Sequence, residues 1–347
     1  YRTVLTHGFV VDGTGRKMSK SLGNVIAPDE VIQKYGAEIL RLWVAAEDYR
    51  DDIRISEEIL QRLSEAYRRI RNTCRFLLGN LSDFDPERYR VHVASMDSLD
   101  RWALHRMQQL VQRVVQAYES FEFHKIYHAI HNFCVVDLSA FYLDVLKDRL
   151  YVSAATSEKR RSAQTAIFEI AVTLVRLMAP ILAFTADEVW EHLPPFQGKS
   201  ESVHLELLPE PVAAYEDEAV EEEWESILDI RAEVNRALEL ARKNKEVGHS
   251  LDAEITIGIS GPLLERLRGQ EDILSRVFIV SKVGLAEADS IEAGVEAVDI
   301  PGMLIQVKPA SAEKCGRCWV HDESVGTDAD QPEICGRCVK ELEGQSA

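Results

Sequence analysis

Near the start of the chain lies the segment Lys17-Met18-Ser19-Lys20-Ser21, which Leu22-Gly23-Asn24 continues. It places two ammonium groups three residues apart, with two hydroxyl groups beside them, just after Asp12-Gly13-Thr14-Gly15. An Asp-Gly pair that follows Phe9-Val10-Val11 predicts a tight turn leading into a mobile loop. Lysine and hydroxyl groups bind phosphate oxygens, and a closing loop can neutralise the charge that grows as pyrophosphate leaves. The alternative is a solvated basic turn.

This segment is identical to the KMSKS signature of the class I aminoacyl-tRNA synthetases, and the chain resembles that family. In the family the second lysine of the signature, here Lys20, contacts the ATP phosphates. The resemblance implies that Lys17 and Lys20 are catalytic. It also implies that Ser19, Lys20 and Ser21 bind ATP, which is used together with Mg²⁺.

The family has a second ATP-binding element, His-x-Gly-His, which does not occur in this sequence. The chain has ten histidines, and only His7 is followed by glycine. The first residue is Tyr1 rather than methionine. We therefore expect the chain to be the C-terminal portion of a longer enzyme, starting inside its catalytic domain just before the signature.

Composition sets broad limits on the class of protein. A chain of 347 residues that is 46% hydrophobic can form two or more domains. Its longest apolar stretch, 167–186, contains charged residues and Pro180, which predicts a buried helix rather than a membrane span. The net charge of −18 argues against a general nucleic-acid coat protein, but local basic patches can still bind RNA.

Helical periodicity dominates the first 210 residues. Pro28 and Gly36 mark the start and stop of a short helix, and another follows from Ala37 to Trp43. Apolar residues at three-to-four spacing then predict long amphipathic helices that pack as a bundle. These helices cover Leu60–Leu77, Leu99–Tyr118, His124–Lys147 and Ile167–Phe184.

The pattern changes after residue 210. A helix is predicted from Trp224 to Lys245 and a short one over Pro262–Leu267. Alternating or apolar runs predict three strands, at Ala253–Ile259, Val277–Val280 and Leu304–Val307. Together these elements predict a small α/β module.

Two matching cysteine pairs follow, Cys315-Gly316-Arg317-Cys318 and Cys335-Gly336-Arg337-Cys338. Sixteen residues separate them, as in a four-cysteine zinc ribbon. Each two-residue spacer lets both thiolates face one ion, and two such turns complete a tetrahedron. The alternatives are redox-active dithiols and structural disulfides. Thioredoxin-like chemistry needs only one such pair, and structural disulfides suit a small secreted chain, which this is not. Cys74 and Cys134 lie at apolar helical positions, which predicts buried, unreactive thiols.

Two groups of residues are candidates for RNA binding. Arg68 and Arg71 belong to a basic stretch beside an apolar stripe, which is either a solvated face or a phosphate-binding face. Arg317 and Trp319 lie in and just after the first cysteine pair, where a guanidinium and an indole can hold an unstacked base. The alternative is that Trp319 only covers the small core of the ribbon.

Several further segments resemble the isoleucyl-tRNA synthetases of the bacterial type. They are Gly36–Trp43, Asn132–Ser139, Phe141–Asp144, Lys147–Tyr151 and the terminal ribbon with Cys318-Trp319. The resemblance covers nearly the whole chain, most loosely between residues 240 and 310. Glu38 stands where we would expect aspartate.

This resemblance implies a mainly α, multidomain fold in four parts. They are the end of a Rossmann-type catalytic domain (1–48), an anticodon-binding helical bundle (49–210), an α/β junction module (211–310) and a zinc ribbon (311–347). It also implies ATP-dependent activation of isoleucine, its transfer to tRNA(Ile), one Zn²⁺ per chain, a monomer, a cytoplasmic location and no membrane partner. The fragment alone is expected to be inactive.

Three other functions fit parts of the sequence. One is a non-catalytic tRNA-binding module derived from a synthetase, but such a module has no need for Lys20. Another is a related valine, leucine or methionine synthetase, because those enzymes share the signature. A third is a DNA glycosylase with a similar zinc ribbon, which the signature near residue 20 disfavours.

Overall fold

The structure, a computed structural model, describes residues 1–344, so the last three residues of the predicted ribbon, 345–347, lie outside it. The chain divides into two compact units. One consists of residues 1–144 and 161–217, and the other of residues 145–160 with those from 218 onward. Helices dominate, which confirms the predicted mainly α fold class. We call residues 12–24 the signature loop and residues 311–344 the cysteine module.

In the first unit, two short parallel strands position the signature loop. Strand β1 (Val10–Asp12) pairs with β2 (Ile53–Ile55), with Asp12 opposite Ile55. Helices α1 (Pro28–Tyr35) and α2 (Ala37–Ala46) lie between them in sequence. As predicted, proline starts α1, and a glycine at φ 89° ends it. The signature loop is therefore fixed to a strand at one end and precedes a helix at the other.

Two of the four amphipathic helices predicted for the bundle, Leu60–Leu77 and Leu99–Tyr118, are confirmed. In α3, for example, Leu60, Leu63, Ile70 and Leu77 are all buried, and Ser56 caps the helix by accepting from the Ile59 amide at 3.3 Å. The elements here are α3 (Glu57–Gly79), α4 (Pro86–Tyr89), α5 (Ser98–Glu119), α6 (Phe123–Asn132), a π-helical segment (Phe133–Tyr142), α7 (Leu143–Val145), α8 (Lys147–Val152), α9 (Glu158–Met178) and α10 (Ala183–His192). Of these, α8 belongs to the second unit, as do the last residue of α7 and the first three residues of α9.

Two of the predicted helices differ in detail. The expected helix over Ile167–Phe184 breaks, because α9 ends at Met178 and Pro180 cannot continue it. Phe184, predicted to be in the core, is 67% exposed. Helix α2 holds this break in place, since Arg41 donates to the carbonyls of Pro180 and Ile181 at 2.8 and 2.9 Å. The second case is the helix predicted from His124, which changes to π-helical geometry at Phe133.

The second unit contains α8, α11 (Glu218–Lys243) and a four-stranded sheet in the order β4-β3-β6-β5. Strand β3 (Ala253–Gly258) pairs in parallel with β4 (Lys282–Ala286) and antiparallel with β6 (Leu304–Pro309), and β5 (Val295–Glu296) pairs with β6. The remaining helices are α12 (Pro262–Leu267), α13 (Glu271–Phe278) and α14 (Gly336–Glu343).

One predicted strand in this unit was wrong. Val277 and Phe278 form the last turn of α13 rather than a strand, and both are buried. Ile279 then takes the left-handed conformation at φ 57° and ends the helix. The apolar run is therefore a helix end and its cap, and the strand begins only at Lys282.

Candidate functional site: signature loop and metal centre

The signature loop begins with a tight turn, as the sequence predicts. The Gly15 amide donates to the Asp12 carbonyl at 2.9 Å, and the Asp12 amide donates to the Arg16 carbonyl at 2.9 Å. Gly15 has φ 82°, a conformation that favours glycine. Lys20–Leu22 then form one 3₁₀ turn, which Gly23 ends at φ 67°. The backbone of the signature loop therefore favours glycine at both Gly15 and Gly23.

The carboxylate of Asp12 organises the loop from within. Its Oδ1 accepts from the Thr14 amide at 2.9 Å, the Thr14 hydroxyl at 2.6 Å and the Arg16 amide at 3.0 Å. Its Oδ2 accepts from the Asn24 side-chain amide at 2.8 Å and from Arg16 Nε at 3.2 Å. The Thr14 hydroxyl, the Asn24 amide and the Arg16 backbone amide hold the pKa of Asp12 well below its usual range. Asp12 is thus a charged, fully bonded anchor at the end of β1.

The two lysines of the signature present unneutralised charge. Both are exposed, and within residues 1–344 neither forms an ion pair with a carboxylate. Lys17 Nζ lies 5.7 Å from the centre of the Phe9 ring. The Ser19 and Ser21 hydroxyls lie 3.2 Å apart, and Ser19 also caps the 3₁₀ turn by accepting from Leu22. Two ammonium groups and two hydroxyls within five residues can bind a polyanion.

The four cysteines of the two pairs meet at one point. All four are buried, and their sulfur atoms lie within 4.8 Å of one another. Cys315 Sγ lies 3.8 Å from Cys338 Sγ, and Cys318 Sγ lies 3.8 Å from Cys335 Sγ. A tetrahedron with Zn–S bonds of about 2.3 Å has edges of about 3.8 Å, whereas a disulfide bond is about 2.0 Å long. The donor set therefore fits a tetrahedral zinc ion, and the cysteines are not disulfide-bonded.

The surroundings of the sulfurs also suit a metal. The Cys335 amide donates to Cys315 Sγ at 3.3 Å. Burial raises the pKa of Cys318 to about 11, because a buried thiolate loses its hydration. A coordinated divalent cation offsets that cost. The guanidinium of Arg337 works in the opposite direction to burial, because its positive charge lowers the pKa of Cys318 and favours the thiolate.

Arg337 connects the cysteine module to the segment 145–160 of the same unit. Its two terminal nitrogens donate to both carboxylate oxygens of Asp148, at 2.6 and 2.8 Å. Glu341 of α14 accepts from the Ala154 amide at 2.6 Å, and Val152 is buried against the four cysteines. Sequence reasoning missed these contacts, because 189 positions separate Asp148 from Arg337 and no local pattern pairs them.

The RNA-binding candidates of the cysteine module lie at its surface. Trp319 is 59% exposed, and the partly buried residues packed against the four cysteines are Val320, Val325 and Ile334. Its backbone is left-handed at φ 67°. Arg317 is half-buried, and its Nη1 atom is buried without a hydrogen-bond partner among the described residues. On α3, Arg68 and Arg71 are both exposed.

The buried thiols of the bundle behave as predicted. Cys74 and Cys134 are 1% and 0% exposed. Burial raises the pKa of Cys74 to about 12 and that of Cys134 well above its usual value. Both residues are therefore core side chains. Separately, no helix among residues 1–344 is both long and apolar enough to cross a membrane.

Three known families match successive parts of the chain. Residues 1–56 match the tRNA synthetases of class I (I, L, M and V), residues 100–257 match the anticodon-binding domain of tRNA ligase, and residues 312–340 match the zinc finger found in FPG and IleRS. These matches contain the signature loop, most of the bundle and the four cysteines. The chain belongs to the class I tRNA synthetases.

Curated relatives narrow this class. The isoleucine–tRNA ligase of Syntrophotalea carbinolica is 56% identical over 99% of this chain, and that of Geobacter sulfurreducens is 54% identical over 98%. The enzyme of Nitratidesulfovibrio vulgaris strain Miyazaki F is 52% identical over the whole chain. Within its class, the chain belongs with the isoleucine–tRNA ligases. It spans 36–37% of the length of these relatives.

Among solved structures, the complex of Agrobacterium radiobacter LeuRS with tRNA aligns with 61% of this chain and 24% of its own. The sequence identity is 22% and the TM-score 0.47. A similarity at this level adds nothing to the family assignment.

Proposed function

We propose that this chain is the C-terminal part of an isoleucine–tRNA ligase, which activates isoleucine with ATP and transfers it to tRNA(Ile). The observation that supports this most directly is the signature loop, whose two exposed lysines are unneutralised within the described residues. The identity to isoleucine–tRNA ligases over nearly the whole chain narrows the amino acid to isoleucine. We propose four parts for this chain: catalytic-domain end (1–48), anticodon-binding bundle (49–210), junction module (211–310) and zinc ribbon (311–347).

In the proposed reaction, a carboxylate oxygen of isoleucine attacks the α-phosphate of Mg²⁺-bound ATP. The bond to the β-phosphate oxygen breaks, so pyrophosphate leaves and isoleucyl-adenylate forms. Lys20 binds the phosphates as negative charge accumulates on the leaving group, and Lys17 adds a second positive charge. Ser19 and Ser21 supply hydroxyl donors beside them. Rate then comes from positioning and from stabilising the developing charge.

The second step transfers the isoleucyl group to a ribose hydroxyl at the end of tRNA(Ile), with release of AMP. We assign tRNA binding to the bundle and the cysteine module, with Arg68 and Arg71 as phosphate contacts. Arg317 and Trp319 would hold one unstacked base. The exposed indole supports this assignment.

One Zn²⁺ held by Cys315, Cys318, Cys335 and Cys338 would supply a structural cross-link rather than catalysis, because all four positions of the tetrahedron are filled by protein sulfur. We further propose that the enzyme is a cytoplasmic monomer.

The proposal is tested with the complete protein that contains this chain. Isoleucine-dependent exchange of pyrophosphate into ATP, and isoleucylation of tRNA(Ile), are the expected results. Valine, leucine and methionine serve as competing amino acids, and a higher kcat/KM for any of them would assign the chain to a different synthetase. Tight binding of tRNA(Ile) without any exchange would support the non-catalytic module instead.

A further inference from the structure

Asn24, the last residue of the signature loop, connects three parts of that loop through one side chain. Its Nδ2 donates to Asp12 Oδ2 at 2.8 Å and to the Lys17 carbonyl at 3.3 Å. Its Oδ1 accepts from the Ser19 amide at 2.9 Å. The two loop contacts lie on either side of Met18, so the amide plane holds the backbone between the first lysine and the 3₁₀ turn.

The other half of this connection is anchored in the fold. Asp12 is the last residue of β1, and it is held opposite Ile55 of β2. Its side chain is buried, whereas Asn24 is half-buried. The Asp12–Asn24 hydrogen bond therefore closes a loop of residues 12–24 directly onto the strand pair. This contact does not belong to the hydrophobic core, which makes a role in core packing a poor account of it.

We propose that Asp12 and Asn24 are positioning residues for the activation reaction, holding Lys17 and Lys20 at a fixed distance from the end of β1. This inference rests on the function proposed above. Exposed lysines on an unrestrained loop sample many positions. Holding the loop backbone to the end of β1 reduces the conformational entropy that is lost when both lysines bind the phosphates. The pair does not contact the substrate; it acts through the backbone of Lys17 and Ser19.

In the Asp12–Asn24 hydrogen bond one side chain donates and the other accepts, and substitution can exchange these roles. Asp12 only accepts hydrogen bonds, and the atom of Asn24 that faces it only donates. Asn24→Asp would place two carboxylates against each other, and Asp12→Asn would place two amide donors against each other. The double variant D12N/N24D restores one donor facing one acceptor, and the amide oxygen that it introduces in β1 can still accept from Thr14 and Arg16. It should therefore recover part of what each single change loses.

The experiment uses the complete protein with the variants N24A, N24D, D12N and D12N/N24D, and with D29N as a control. Asp29 is an exposed acid in the first turn of α1, outside the signature loop. Two quantities are measured. The first is the kcat and the KM for ATP in isoleucine-dependent pyrophosphate exchange. The second is the rate of tryptic cleavage after Arg16, Lys17 and Lys20 without ATP, which reports how firmly the signature loop is held.

For N24A we expect about a tenfold rise in cleavage and about a tenfold fall in kcat, the effect of losing one to two net hydrogen bonds. The KM for ATP should change by less than about threefold, because the lysines themselves remain. N24D should be slower than N24A because of like-charge repulsion, and D12N/N24D should be at least about fivefold faster than N24D. D29N should match the wild type.

Unchanged cleavage and kcat in N24A would overturn the inference, and so would a double variant no faster than N24D. A fall in kcat without increased cleavage would also contradict it, because the effect would not come from a loosened loop. If the wild type shows no isoleucine-dependent exchange, the proposed function fails. The tryptic pattern then still decides whether the pair holds the loop.

Discussion

Replacing Asp148 by asparagine tests whether the bidentate pair with Arg337 holds the cysteine module against the segment 145–160. The substitution keeps the size of the side chain and one acceptor oxygen. It removes the charge and places an amide donor against a guanidinium nitrogen. The Glu341 contact to the Ala154 amide and the buried Val152 remain. The variant therefore isolates one ion pair within the docked module.

The size of the effect follows from the exposure of the pair. The side chains of Arg337 and Asp148 are 45% and 29% exposed, so solvent screens part of the attraction. Fully exposed pairs contribute about 0.2–1 kcal/mol, and hydrogen bonds to charged groups contribute about 1.5–3 kcal/mol. A bidentate, partly exposed pair should lie between them, at about 1–2 kcal/mol. This corresponds to about a 5–30-fold change in an equilibrium constant.

The assay is the rate at which zinc leaves the metal-loaded protein in the presence of excess coloured chelator. If the module must undock before the thiolates become accessible, D148N should release zinc about 5–30-fold faster, in proportion to the destabilised docking. R337K should be faster still, because it removes the planar guanidinium that binds Asp148 in bidentate fashion and also favours the Cys318 thiolate. The double variant should behave like R337K alone, as expected for two residues that act as one pair.

The matched control is E158Q, which removes one negative charge from an exposed position of the same segment. It should release zinc at the wild-type rate. A D148N protein that releases zinc within twofold of E158Q would refute the reasoning, because the pair would then contribute nothing to docking. An equal acceleration in both variants would show that only the net charge matters.

Three further predictions concern the proposed activity. Lys20→Ala should lower the single-turnover rate of adenylate formation about a hundredfold, or about 3 kcal/mol, with little change in isoleucine affinity, because the Lys20 contact strengthens in the transition state. Lys34→Ala, outside the loop, is the control. An unchanged rate in Lys20→Ala would show that the loop is structural. Trp319→Ala should weaken tRNA(Ile) binding by about 1–3 kcal/mol, as measured by titration, and leave zinc content and pyrophosphate exchange intact; loss of zinc would instead indicate a packing role. Cys335→Ser should abolish stoichiometric zinc binding and increase proteolysis within residues 311–344 while the helical circular dichroism of the bundle persists, and full retention of zinc would contradict the four-cysteine site.

Local sequence patterns predicted most of the helices because each buries one stripe of its own residues. In α3 and α5 the apolar positions recur at three-to-four spacing and the capping residues stand where the helices begin. The failure at Val277–Val280 has an equally local cause. Those four residues are apolar whether they form a strand or the buried last turn of α13 and its cap. Length and periodicity cannot separate the two in so short a run.

The two candidate sites were predictable to different extents. The spacing of the cysteines fixes the ligand set, because two close pairs must converge to complete a tetrahedron. The Asp12–Asn24 hydrogen bond and the Arg337–Asp148 pair depend on how the chain folds back over 12 and 189 positions. Neither follows from residue type alone. The π-helical geometry at Phe133–Tyr142 likewise depends on tertiary packing rather than on a sequence signal.

The left-handed backbone of Trp319 has a consequence for attempts to make this protein more heat-resistant. A non-glycine residue in that conformation costs about 1 kcal/mol or more, and glycine adopts it without strain. Because the indole is 59% exposed, glycine would lose the stabilising burial of less than half of the indole surface, and this loss opposes the relief of strain. Enrichment of Trp319→Gly in a screen that selects only for thermal tolerance would show that the strain outweighs the lost burial. The same replacement would delete the stacking surface that we assign to RNA. Selection for thermal stability and selection for tRNA binding would then favour different residues at position 319.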